Sequence, residues 1–131
     1  MGTRADFYVG RGKDAEWIGS LAFDGPPSEM PRALITATRP GRYREAVAAR
    51  LLDSEDSSSR PEDGWPWPWD DSNPSDFAYC FDRGRVYFSC FGRPWRLATG
   101  YGRTPQSYYD RPGGGLELPN MKARRMKKAG R

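Results

Sequence analysis

The chain has 131 residues, 37% of them apolar, a mean hydropathy of −0.86 and a formal net charge of +4. That suffices for one small core and not for two, and no apolar run approaches the ~20 residues of a membrane helix. Histidine is absent, which removes Ser-His-Asp and Cys-His nucleophile activation and the commonest zinc ligand.

The charge is unevenly placed. Residues 1–52 carry eight basic and six acidic groups, residues 53–82 one and nine, and residues 83–131 twelve and two. The modest net charge thus hides an acidic middle and a basic C-terminal part, a statement about partners rather than fold. Gly and Pro total 27, so short elements and many turns are expected.

In chain order, residues 5–9 (ADFYV) read as a strand and 16–23 (EWIGSLAF) as a second, with Trp17, Gly19, Leu21 and Phe23 on one face. Gly10 and Gly12 lie in the loop between them; they lack Walker spacing and no helix pattern follows, so a hairpin loop is the reading. Ser28 is placed to cap a short helix over 29–38. Residues 41–53 form the strongest helix pattern: Tyr43, Val47 and Leu51 recur every four residues, with Arg42, Arg44, Glu45 and Arg50 mostly outward. Residues 54–64 hold no apolar side chain and read as a mobile acidic loop.

The run Trp65-Pro66-Trp67-Pro68-Trp69 follows. Alternating Pro fixes φ and removes N–H donors, which predicts an extended segment and excludes a central strand. One or two of its indoles are expected to pack over Cys80 and Tyr87. The rest would serve as an aromatic anchor for a partner, beside Asp70 and Asp71, since Trp is enriched at binding hot spots. Asp70, Asp71 and Asp76 also invite a hard-cation reading, but the spacing is not that of an EF-hand and Asn73-Pro74 reads as turn chemistry.

Residues 76–81 and 85–91 are strand-like. A two-residue turn at Arg83-Gly84 pairs Phe81 with Val86, Tyr79 with Phe88 and Phe77 with Cys90, which collects one wholly apolar face. This register puts Cys80 and Cys90 on opposite faces, too divergent for a disulfide. No signal peptide precedes them, so two reduced, buried thiols in a cytoplasm are expected. From the hairpin turn onward, Arg83, Arg85, Arg93 and Arg96 are interleaved with aromatic residues. With Lys122, Arg124, Arg125, Lys127 and Lys128 of the last eleven residues they form a candidate nucleic-acid surface, stacking bases while holding phosphates. The reading is one α+β domain over 1–119 and a basic tail over 120–131.

The segments GTRADFYVGRG (2–12), AEWIGSLAFDG (15–25), GWPWPWDDS (64–72) and FAYCFDRGRVYFSCFGRPW (77–95) resemble a group of small uncharacterised phage and prophage proteins. The resemblance covers roughly residues 2–95 and carries no catalytic residues over. It implies a phage-encoded accessory protein acting in a bacterial cytoplasm.

The expected architecture is α+β: a small antiparallel sheet of two hairpins with one or two helices on one face. The expected role is a non-catalytic binder of a host protein, as an inhibitor of a host defence system for instance, through Trp65, Trp67, Trp69, Asp70 and Asp71. The alternatives are a DNA- or RNA-binding protein using the basic residues above, and a metal-dependent hydrolase using the Asp cluster. The leading reading needs no cofactor, resident metal or membrane.

Overall fold

A computed structural model describes residues 3–100 and 117–121. Six strands form one sheet: β1 (Ala5–Val9), β2 (Glu16–Leu21), β3 (Ser58–Ser59), β4 (Phe77–Asp82), β5 (Arg85–Cys90) and β6 (Arg96–Leu97), in spatial order β3-β2-β1-β4-β5-β6. Helices α1 (Arg32–Ile35) and α2 (Pro40–Asp53) cover one face. The fold is α+β, as the sequence predicts.

The β4–β5 hairpin has the expected register pair for pair, from Phe77↔Cys90 to Asp82↔Arg85. Its turn residues have φ of 52° (Arg83) and 78° (Gly84), the mirror-image turn whose twist matches the strands. The sheet departs from expectation in its centre. The two hairpins join through β1 and β4, which run parallel, Ala5↔Phe77 to Val9↔Phe81. Parallel neighbours require a crossover, and residues 65–76 supply it by crossing the face opposite the helices.

β2 also corrects a face assignment. β1 Phe7 pairs with Gly19 and Tyr8 with Trp17, so Ile18 is an extra residue. The bulge turns the strand over. Leu21 packs with Phe7 beneath the helices, whereas Trp17 belongs to the opposite face with Tyr8. Phe23 is exposed beyond the end of the strand.

The helix expected over 29–38 shrinks to α1. Pro27 starts a 3-10 turn that absorbs Ser28, and Pro31 resets the chain before Arg32; the ring of proline excludes a continuous helix here. α2 starts with Pro40 at its first turn and buries Tyr43, Val47 and Leu51, as their spacing predicts. Arg50 is buried too, not outward, with its guanidinium 2.7 Å from Ser54 Oγ and 3.9 Å from Asp24. Residues 54–64, read as a loop, contain two 3-10 turns and the edge strand β3, which pairs with Ser20 and Leu21. Among the described residues no helix is long and apolar enough to cross a membrane.

Candidate functional site

The helix-free face is built from alternate residues of the strands. β1 turns Asp6 and Tyr8 toward it, β2 Trp17 and Ser20, and β4 Ala78 and Cys80, because successive strand side chains point to opposite faces. Onto this face the Trp-Pro segment lays its indoles. Trp65 is buried and meets Trp17 edge to face at 5.4 Å; its Nε1 donates to the Trp69 carbonyl. Trp67 and Trp69 are half-buried and stacked at 5.5 Å, with 16° between their planes. The guanidinium of Arg4 lies over both rings, 5.8 and 5.2 Å from their centroids. All three indoles join the cluster that holds Cys80 and Tyr87, whereas the group lying over the Tyr87 ring is the Arg11 guanidinium, 4.1 Å from its centroid. Residues 117–121 close one flank: Leu118 is buried in the same cluster and Met121 N donates to the Asp70 carbonyl.

Beneath the indoles lies Asp6, fully buried. Its Oδ1 accepts Ser20 Oγ at 2.5 Å and Trp67 Nε1 at 2.6 Å; its Oδ2 accepts Ser72 Oγ at 2.6 Å and Ser75 Oγ at 2.7 Å. Two donors are themselves backed. Trp17 Nε1 donates to Ser20 Oγ, and Tyr8 Oη lies 2.6 Å from Ser72 Oγ. The single Ser72 proton points at Asp6, so the Tyr8 hydroxyl donates to Ser72. Every dipole therefore converges on the carboxyl, an aligned network of the kind that strengthens itself in a low dielectric. Burial pushes the Asp6 carboxyl above its ordinary range and the four donors pull it back only in part.

Asp6 thus fastens the crossover to the central strand, through Trp67, Ser72 and Ser75. Arg4 adds a second fastening. Its N–H donates to Asp76 Oδ2 at 2.7 Å, and its guanidinium lies 3.7 Å from the same carboxylate. Neither residue is singled out by the sequence patterns above. The available signal was a lone acid, on the same face as Tyr8, inside an otherwise apolar strand.

The sequence-predicted partner surface is divided by the structure. Trp65 belongs to the core and cannot act as an exposed anchor. Trp67 and Trp69 keep partial exposure, Asp70 is exposed and Asp71 half-buried. Asp71 Oδ1 accepts the Asn73 N–H, in line with the turn read at Asn73-Pro74. The hydrolase reading loses its geometry: Asp76 is turned to Arg4, and no group of three potential ligands converges among the described residues.

The basic candidates are likewise dispersed. Arg83 and Arg85 sit at the tip of the β4–β5 hairpin, Arg96 opposite Phe88 on β6, and Arg93 beyond the far end of β5. Five strand steps separate the ends, about 17 Å, so these four make no single patch. Lys122, Arg124, Arg125, Lys127 and Lys128 lie outside the described residues. Cys80 and Cys90 are buried on opposite faces, as the register requires, and burial pushes their thiols up to about 12 and about 11.

Compared with protein-family models, curated proteins and solved structures, the chain has no match. The structure itself defines the class: an α+β protein whose helix-free face is sealed by a tryptophan-rich crossover.

Proposed function

We propose that this chain is a non-catalytic, phage-type accessory protein that binds a host protein, with Arg4, Trp67, Trp69, Asp70 and Asp71 as its contact rim. In the setting the resemblance implies, its target belongs to a host defence system. The observation that carries the reading is the stacked, half-exposed Trp67–Trp69 pair, pinned below by Asp6 and above by Arg4, with exposed Asp70 next in sequence. Aromatic side chains held in place before binding lose little conformational freedom on association, and Trp is a preferred hot spot. The neighbouring carboxylates would steer a basic partner. The ionisable groups at the face support binding over chemistry: Asp6 is enclosed by donors, and the Cys80 thiol is neutral at physiological pH.

The test is capture of host protein from nuclease-treated lysate by the native chain and by a Trp69→Ala/Asp70→Ala variant whose far-UV circular dichroism is native. A partner held by the native chain and lost by the variant supports the rim. A partner held equally by both removes it.

A further inference from the structure

Past the end of β5 the chain makes a second mirror-image turn. The Arg93 N–H donates to the Cys90 carbonyl at 3.1 Å, and the two residues between have φ of 52° (Phe91) and 75° (Gly92). Gly92 suits its place: a Cβ there would stand 2.8 Å from Asn73 Oδ1 and 3.1 Å from the Asn73 carbonyl oxygen. Phe91 does not suit its own. The first central position of such a turn takes Asn, Asp or Gly, and a bulky side chain at positive φ is strained.

Burial offsets little of this strain, because Phe91 is 52% exposed. Phe23, Leu52 and Leu97 are exposed too, and single exposed apolar residues are ordinary. None of those three has a positive φ. Among the described residues only Phe91 joins a large solvent-facing apolar side chain to a strained backbone, and strained residues gather at ligand clamps and other functional sites.

We infer that Phe91 is a further anchor of the tryptophan rim, received by an apolar socket with basic edges on the host protein. The inference rests on the reading of that rim as a contact surface and extends it by one residue. Position joins the two. The Phe91 N–H donates to the Asp76 carbonyl at 3.0 Å, and the Arg4 N–H donates to the Asp76 carboxylate. Arg4, Asp76 and Phe91 thus stand in a row across the ends of β1, β4 and β5, about 10 Å from first to last. Arg4 in turn covers Trp67 and Trp69. On its other flank the turn abuts Asn73, whose N–H is held by Asp71.

The surroundings select the partner's chemistry. A half-exposed ring on a fixed turn enters an apolar socket with little conformational freedom left to lose. Arg4 is already matched by Asp76, and Arg93 is half-buried. Among the described residues no ion pair reaches Asp70 or Asp71, so the charge left for a partner on this flank is negative and favours Lys or Arg around the socket.

The test takes the host protein captured by the full chain from nuclease-treated lysate, purifies it and titrates it by calorimetry. Phe91→Asn supplies the residue the turn prefers and removes the ring. It should leave Tm unchanged or raise it by about 2–5 °C, and weaken binding about tenfold or more. Phe91→Tyr keeps an aromatic ring at the same backbone position and should keep binding.

Native affinity in Phe91→Asn, with the same partner lost by Trp69→Ala/Asp70→Ala, overturns the anchor and leaves the rim standing. A partner lost by Phe91→Asn yet held by Trp69→Ala/Asp70→Ala removes the tryptophans and keeps Phe91 as the contact. Capture of no protein by the native chain removes both. A fall in Tm of more than about 5 °C in Phe91→Asn would show that the ring serves the fold, and overturns the anchor. Sedimentation velocity of the free chain covers the other occupant: self-association that Phe91→Asn abolishes would assign the ring to a second copy of this chain instead.

Discussion

At the scale of single residues, Asp6 carries the most consequence. Asp6→Ala would leave four buried donors without an acceptor, and hydrogen bonds to a charged group contribute roughly 1.5–3 kcal/mol each before compensation. We expect a loss of about 3–5 kcal/mol in chemical denaturation. Asp6→Asn keeps one acceptor oxygen and offers an amide to hydroxyls that can turn, so its loss should be about 1–2 kcal/mol. The pH dependence has a defined sign. Burial raises the folded carboxyl above its ordinary 3.8, so the folded chain keeps a proton that the unfolded chain has released. Stability tied to that proton is complete below 3.8 and is lost as pH rises through the folded value. The Tm gap between native chain and Asp6→Asn should therefore shift in favour of the variant as pH rises. A shift the other way would mean that the four donors outweigh burial. The thiols give a second check. With both raised to about 11 or above, neither should react with a disulfide reagent at neutral pH until the chain is unfolded. Fast modification of either in the native protein would contradict its burial.

At the scale of elements, legibility follows locality. The β4–β5 register was readable because one apolar face and one turn decide it within fourteen residues of sequence. The span of α2 was readable from Tyr43, Val47 and Leu51. The bulge in β2 was not, because it depends on what lies above it. Gly19 has a φ of 152°, and a Cβ there would stand 2.3 Å from Leu51 Cδ1 and 3.2 Å from the Ser59 carbonyl. Gly19→Ala should therefore force α2 or β3 away and destabilise by about 1–3 kcal/mol, read from the urea midpoint. A neutral result would show that the Leu51 side chain simply rotates aside. Ser59 belongs to the segment without apolar residues, which alternation cannot mark as a strand; its pairing is set by the backbone of β2.

At the scale of the whole molecule, the missed features share one cause. The β1–β4 pairing and the Asp6 network both join parts of the chain that no local pattern links. Asp6 meets partners 14, 61, 66 and 69 residues away. The tryptophan rim was legible as composition, but its division into a buried Trp65 and a half-exposed pair was not, since both arise from how the crossover lies on the sheet. The layering predicts an order of protection. Amide exchange should be slowest in β1 and β4, flanked by strands on both sides and covered on both faces, and fastest in the two-residue edge strands β3 and β6. Exchange in β1 as fast as in β6 would mean that the crossover opens independently of the helices.

The parallel pairing also sets a timetable. Arg4 and Asp76, which flank the first β1–β4 pair, are 72 positions apart. At about 5–20 residues per second, β1 leaves the ribosome roughly four to fourteen seconds before β4. During that interval β1 has only β2 beside it, and Asp6 lacks three of its four donors. The newly made N-terminal half is thus exposed to chaperones and to other nascent chains for seconds.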